Sequence, residues 1–357
     1  MRLLLAVVSL ILLVLACAPS DETAEEHGAV MKAIGLYRYG GPEVLGVVEV
    51  PKPEPEAGQV RLRVMAAGVN PVDEMVRSGL LASYYEGHPF PYIPGMDVSG
   101  VVDALGPDVD PALGLSVGMD VTAMVSNFAG YGGYAEYVCV PAGSVAAMPE
   151  GKSYAEAAAY LMPAMTARVA LDSLGLPAGS SLEIIGAAGA VGAFACILAE
   201  RDGLEVTAIA SPSDEEWLRS LGVTHFVPRG ADADAAVRAI HPQGVDAILD
   251  TAGLRERAFP ALKDGGSYMA LRSWDDAPSV RGIRTGYISV RDRIDDHAAI
   301  AEISRLVETG VLPLRVAQVF PSAEAAAAHE LQAAKGVRGR VVIEMSRVEG
   351  SEAARGE

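Results

Sequence analysis

Residues 181–200 read Ser181-Leu182-Glu183-Ile184-Ile185-Gly186-Ala187-Ala188-Gly189-Ala190-Val191-Gly192-Ala193-Phe194-Ala195-Cys196-Ile197-Leu198-Ala199-Glu200. Leu182, Ile184 and Ile185 predict a short buried strand, residues 186–192 a tight turn, and residues 193–200 an apolar helix. That order builds the phosphate-binding unit of a Rossmann half. The first N–H groups of such a helix lack partners inside it, and its dipole favours an anion there. Glycine at 189 lets a pyrophosphate approach the backbone, and glycine at 192 lets the helix pack close to the strand. Ala187 stands where the first fingerprint glycine would be, giving an A-x-G-x-x-G variant. The rival reading is a small-residue turn in an ordinary strand–helix unit. On the dinucleotide reading, the turn binds cofactor through Gly186, Ala187, Gly189, Ala190, Val191 and Gly192.

The chain has 357 residues, enough for two domains with separate cores, and half of them are apolar, which excludes a disordered chain. A formal net charge of −18 argues against a nucleic-acid surface, which needs clustered Lys and Arg. The front end differs from the rest. After Arg2, residues 3–16 are almost purely apolar, too short to span a bilayer but long enough for a signal-peptide core. They end Val14-Leu15-Ala16-Cys17, which resembles a bacterial lipobox and implies lipid attachment at Cys17, followed by an acidic tether. The alternative is a start at Met31. The first reading gives an envelope lipoprotein with a membrane anchor; the second gives a cytoplasmic protein. Cys139 and Cys196 sit among apolar neighbours and read as packing thiols.

In the first half, residues 60–66, 98–105, 120–125 and 132–141 read as strands, with proline and glycine punctuating the loops between them. This predicts a β-rich domain, a barrel. Asn70 is placed to cap a helical turn opened by Pro71. In the second half, residues 153–171 form a long helical pattern, 205–210 the next parallel strand, 224–227 a strand, 244–250 a strand ending at Thr251, and 265–271 another. Residues 296–310 make an amphipathic helix, and a further one begins at 320–329 with Ser322 as its cap. Residues 346–357 read as a frayed polar tail. An NAD-preferring site places an acid near the end of the second strand. Here Ser211 and Ser213 follow Ala210, leaving room for a 2′-phosphate, with two hydroxyls to donate to it. Ligands of open α/β sheets lie beyond the strand carboxyl ends, so Thr251 is a cofactor neighbour.

Residues 68–79, 93–100, the Gly118-Met-Asp-Val turn and Gly132-Gly-Tyr-Ala-Glu-Tyr-Val138, in this order and spacing, resemble the catalytic domain of the medium-chain dehydrogenase/reductase superfamily, closest to its zinc-free quinone oxidoreductase branch. The similarity runs from Met31 to about Met345. It implies an α/β chain with a GroES-like β-barrel catalytic domain (31–152), a doubly wound parallel-sheet Rossmann domain (153–291), a C-terminal return to the catalytic domain (292–346) and a polar tail (347–357), behind the signal and tether (1–30). Zinc-dependent members would have Cys near position 70 and Gly-His-Glu at Gly95-Met96-Asp97. The six histidines lie scattered, so no metal is expected.

The resemblance further implies a nicotinamide cofactor, NADPH or NADH. Thr166 matches a threonine near the nicotinamide end, and Arg340 stands where a lysine is common. Arg229 falls where the family has a tyrosine near the 2′-phosphate; its guanidinium would compensate, or it is simply an exposed arginine. Asp214-Glu215-Glu216 replaces the lysine of NADPH users, so the choice of cofactor stays open. Asn70 and Asp73 are the catalytic candidates at the cleft wall. Asn70 would bond a substrate oxygen or the carboxamide; Asp73 would orient its neighbours or serve only as a helix-start carboxylate. Met75 replaces a tyrosine, leaving water as the proton source, and Tyr131 and Tyr134 line the pocket or merely pack. The implied activity is hydride transfer to a quinone or activated alkenone. An enoyl or alkenal reductase, a non-catalytic nucleotide-binding protein and an envelope scaffold are the alternatives, and a homodimer is expected by analogy.

Overall fold

The computed structural model describes residues 29–128, 131–334 and 336–355. The lipobox and Cys17 lie outside them.

The apolar alternation of the first half folds as β1 (Val30–Gly35), β2 (Gly46–Pro51), β3 (Gln59–Gly68), α1 (Pro71–Ser78), β4 (Asp97–Leu105), β5 (Asp120–Met124), β6 (Tyr137–Pro141) and β7 (Val145–Ala147). The second half runs α2 (Tyr154–Ala157), α3 (Leu161–Leu174), β8 (Ser181–Ile185), α4 (Ala190–Arg201), β9 (Glu205–Ala210), α5 (Glu215–Ser220), β10 (His225–Pro228), α6 (Ala233–Ile240), β11 (Val245–Asp250), β12 (Leu262–Ala270) and β13 (Arg284–Tyr287). It closes with α7 (His297–Glu308), β14 (Val316–Pro321), α8 (Ala325–Ala333) and β15 (Arg340–Glu344).

Two sheets position the site. The cofactor-type sheet has the order β10-β9-β8-β11-β12-β13, all parallel. Its strand order reverses between β8 and β11, the crevice where ligands of open α/β sheets bind. The central strands are buried on both faces, as the fully buried β8 shows, whereas the edge strand β13 is mostly exposed. The other sheet runs β14-β15-β3-β4-β5-β7, with β6 also on β3. The last strand, β15, returns to lie antiparallel to β3, pairing Val342 with Gly68. A residue near the chain's end thus reaches the wall built by residues 68–97.

Several local expectations need correction. Residues 153–171 are not one helix. Ser153 starts α2 by accepting from the Glu156 backbone at 3.3 Å, while the Glu156 carboxylate accepts from the Ser153 N–H at 2.9 Å. α3 then restarts at Leu161, which puts Pro163 in its first turn; a continuous helix would have buried that proline in its interior, where it breaks a bond. The strand expected over 132–141 shrinks to β6, because Gly132 and Gly133 press against 93–95. The Gly132 N–H donates to the Ile93 carbonyl, and a Cβ at 132 would sit 2.2 Å from the Pro94 carbonyl oxygen. Ser322 does not cap α8; it lies in the preceding 3-10 turn, and its hydroxyl donates to the Arg347 carbonyl and accepts from the Glu349 N–H, both at 2.9 Å. The tail is accordingly pinned rather than frayed: Val348 and Ala353 are buried, and Val47 exchanges backbone bonds with Ser351 and Ala353.

Candidate functional site

The glycine turn sits at the carboxyl end of β8, at the reversal point. Gly186 has φ +79°, the left-handed region that only glycine adopts freely, and a Cβ there would meet Thr251 Oγ1 at 2.5 Å. Thr251, at the end of β11, donates its hydroxyl to the Ile185 carbonyl at 2.7 Å and lies 3.3 Å from that of Gly186. It therefore clamps the turn from the neighbouring strand. The Gly186 and Ala187 N–H groups donate to the Ile209 carbonyl, which fixes the turn from the other side. Gly192 is demanded by packing: a Cβ would sit 2.4 Å from the Gly186 oxygen and 2.8 Å from Ala187 Cα. Gly189 differs. Its Cβ would make one contact, 3.2 Å from the Gly186 oxygen, tight but free of the clash with two groups under 3 Å that a Cβ at 192 would meet. The helix starts earlier than predicted, at Ala190, so the N–H groups of Ala190, Val191 and Gly192 are its unpartnered first turn, aimed at the crevice.

The next strands supply the far end. Pro228 of β10 pairs with Ala210 of β9, and the Arg229 N–H donates to the Ala210 carbonyl at 2.7 Å. Half-buried Ser211 and exposed Ser213 and Arg229 thus share one edge. The sequence reading missed a second cation here. Arg338, just before β15, forms two 2.6 Å bonds to the buried Asp214 carboxylate. Thr166 lies half-buried on α3, with its hydroxyl donating to the Met162 carbonyl at 2.7 Å.

The segment 68–97 and β15 are built around buried charge. Arg340 is 6% exposed, and its Nη2 donates to Asn70 Oδ1 at 2.8 Å and stands 3.7 Å from Asp97 Oδ2. Asp97 also accepts from the Met162 N–H at 3.3 Å, in the first turn of α3. Gly68 makes the cluster possible: a Cβ there would lie 2.4 Å from the Ala158 oxygen and 3.1 Å from Arg340 Nη2. Beside this, the wholly buried Asp73 carboxylate accepts from the N–H groups of Asn70 and Gly95, both at 2.8 Å, and from the Tyr134 hydroxyl at 3.3 Å. Burial raises Asp73 to about 6 against these bonds and Asp97 to about 7 against Arg340. The same burial pushes Arg340 downward, opposed by the two carboxylates.

This arrangement orients one amide. A guanidinium has only donors, so it must face the carbonyl oxygen of Asn70. The Nδ2 end of Asn70 is then the end left to donate; its nearest protein acceptor, the Gly68 carbonyl, is 3.5 Å away. Of the sequence candidates, the structure joins Asn70, Asp73 and Arg340 in one cluster and the residues 186–192 with Thr251 in another. Asp97 and Tyr134 complete the first: the sequence reads Asp97 only as a replaced zinc-ligand position, and Tyr134, expected to line the pocket or merely pack, is buried with its hydroxyl on Asp73. The signal for Asp97 was a lone acid within the otherwise apolar run Gly95-Met96-Asp97-Val98; Tyr134, one of three tyrosines in residues 131–137, had no comparable signal.

Comparison with known proteins agrees with this geometry. Residues 56–150 match the alcohol dehydrogenase GroES-like domain model, and residues 221–343 match the zinc-binding dehydrogenase model. Quinone oxidoreductase from Sus scrofa is 30% identical over 333 residues, spanning 88% of this chain and 98% of that protein. A 2-methylene-furan-3-one reductase from Solanum lycopersicum is 29% identical over 301 residues, spanning 82% of this chain and 75% of its own length. The solved structure of the quinone oxidoreductase from Coxiella burnetii superposes with a TM-score of 0.78 at 28% identity, covering 88% of this chain and 99% of that one.

Proposed function

Because the chain belongs to the medium-chain dehydrogenase/reductase superfamily and is an NAD(P)H-dependent oxidoreductase, we propose that it reduces a quinone or an activated alkenone without a catalytic metal and with NADPH as the preferred cofactor. The observation that carries the metal-free reading is the Asn70–Arg340–Asp97 cluster. Zinc takes thiolate, imidazole or carboxylate ligands. The positions where zinc-dependent relatives hold them carry here an amide, the Met96 thioether and a carboxylate that faces a guanidinium. This donor set does not fit a catalytic zinc. A quinone needs none, since its reduced oxyanion is stabilised by conjugation.

The bound dinucleotide supplies the hydride. The chain's own residues bind and orient. The first-turn N–H groups of α4 and the open face of Gly189 receive the pyrophosphate, and Thr251 holds the turn in place. Asn70 Nδ2 donates to the substrate oxygen or to the carboxamide, kept in that orientation by Arg340. Asp73 is a positioning residue: each carboxylate oxygen is already bonded, and it fixes Asn70 and the Gly95 loop. The proton comes from water. Ser211, Ser213 and Arg229 receive the 2′-phosphate, and no carboxylate stands at 211 or 213 to repel it.

Turnover of NADPH and NADH with a panel of quinones and enones tests the reading, alongside Ser211→Asp and Arg229→Ala. The expected result is faster turnover with NADPH, and a fall of about tenfold in kcat/KM for NADPH alone in each variant. Equal use of both cofactors, unchanged by either substitution, removes the phosphate site. Absence of turnover with any acceptor, while the dinucleotide still binds, removes the reductase reading.

A further inference from the structure

Three residues far apart in sequence converge at the opposite end of the cofactor sheet. Glu205 opens β9, His225 opens β10, and His241 follows α6 as its C-terminal cap. Parallel pairing sets His225 beside Thr207, which shares a face of β9 with Glu205. His225 Nε2 lies 2.8 Å from Glu205 Oε1. The His241 ring stands edge-on to that of His225, with centroids 5.8 Å apart and planes at 86°, and its Nε2 is 3.1 Å from the Thr207 hydroxyl. One donor atom from each of Glu205, His225 and His241 falls within 4.8 Å of the other two. All three side chains are partly exposed, so an ion can reach them from solvent.

We propose that Glu205, His225 and His241 form a binding site for a divalent transition-metal ion of the zinc, cobalt or nickel class. Two borderline imidazole nitrogens and one harder carboxylate oxygen are a donor set that zinc accepts, with a fourth position left for water. Ligand atoms around a tetrahedral zinc stand about 3.4 Å apart, given metal–ligand bonds of about 2.0–2.1 Å. Small rotations of partly exposed side chains close the distance from the observed spacing. The ion displaces the proton between His225 and Glu205 and the Thr207 contact at His241; any proton on the ligating nitrogens goes to solvent. A simple His225–Glu205 ion pair would engage two of these groups and gives no reason for the third. The site lies at the amino ends of β9 and β10, about 17 Å along the strands from the carboxyl edge that holds the glycine turn. Its role is therefore structural: it ties the start of two strands to the corner between α6 and β11, and no part of hydride transfer passes through it.

The test uses the full-length protein stripped with a chelator. Zinc binding is followed by calorimetry and cobalt binding by its visible absorption. The proposal expects one equivalent bound, a cobalt spectrum without a thiolate charge-transfer band, a higher unfolding temperature with zinc, and binding weakened about tenfold or more by His241→Ala or Glu205→Gln. His225→Gln serves as the conservative third variant, and circular dichroism checks that each is folded. Turnover stays at the metal-free level in all of them. Failure to reach a one-to-one endpoint, a thiolate band, or affinity unchanged in folded variants overturns the proposal. None of these readouts depends on which substrate the enzyme reduces.

Discussion

The glycine turn and the Arg340 cluster are built on opposite terms. The turn is made from consecutive residues, and its working parts are backbone N–H groups and the space that missing Cβ atoms leave. The cluster is made from side chains on the link after β3, on α1, on β4 and on β15, and its central bond joins residues 270 positions apart. A local backbone device tolerates most side-chain changes and fails wherever a methyl group is added. A long-range charge cluster tolerates changes of shape but fails when its charges no longer match.

The largest expected effect follows from that second rule. Arg340→Met leaves Asp97 buried without its counter-charge and the Asn70 side-chain carbonyl without its donor, which should cost about 3–5 kcal/mol in urea unfolding. Arg340→Lys, which keeps the charge, should recover part of it. A loss under about 1 kcal/mol in the Met variant would mean the cluster is not a coupled charge system.

The pH dependence of stability comes next. Burial raises Asp73 to about 6, Asp97 to about 7 and Glu183 to about 8. The folded state therefore binds these protons more tightly than the unfolded chain does. Stability from this source is present at low pH and is lost as pH rises from about 4 to about 8. Asp103, Asp246 and Asp296 are lowered; their contribution is lost only as pH falls below the ordinary carboxylate range. The unfolding temperature should thus be several degrees higher near pH 5.5 than near pH 8, and Asp97→Asn should reduce the difference by its own share, leaving that of Asp73 and Glu183. A midpoint that rises with pH across this window would contradict the sign.

At the turn, Gly192→Val forces a side chain into the Gly186 carbonyl and should cost about 1–3 kcal/mol while weakening dinucleotide binding. Gly189→Ala, whose methyl meets only the Gly186 oxygen at 3.2 Å, should cost clearly less stability than Gly192→Val while weakening dinucleotide binding; unfolding and calorimetry with each cofactor separate the two. The smallest effect is expected for Thr251→Val, which removes the clamp on Ile185 and Gly186 and should cost about 1 kcal/mol. If Gly192→Val and Gly189→Ala behave alike, the distinction between packing glycine and ligand glycine is wrong.

The same contrast explains what could be read from the sequence. β9 spans 205–210 as predicted, and Asn70 stands at the N-cap position of α1, its N–H on the Asp73 carboxylate while its side chain turns to Arg340, because periodicity and helix starts are local signals. The glycine turn was legible for the same reason. Pro163 was visible, but its consequence depended on where the chain restarted after Ala158–Tyr160. Ser322 has the chemistry of a cap, yet it bonds the tail instead, and the tail's polar composition hid Val348 and Ala353 packing on β2. The pairing of Arg340 with Asn70 and Asp97 follows only from the return of β15 to β3, a long-range register that composition does not encode. The convergence of His225 and His241 on Glu205 escaped notice for the same reason.

The most direct test of the metal-free account compares the full-length enzyme and Asn70→Ala, both treated with a chelator, for nicotinamide oxidation with a quinone acceptor. The account predicts that chelation leaves turnover unchanged, and that Asn70→Ala lowers kcat about 100-fold while the dinucleotide still binds. Turnover that disappears on chelation and returns with zinc, or an Asn70→Ala enzyme as fast as its parent, would contradict it.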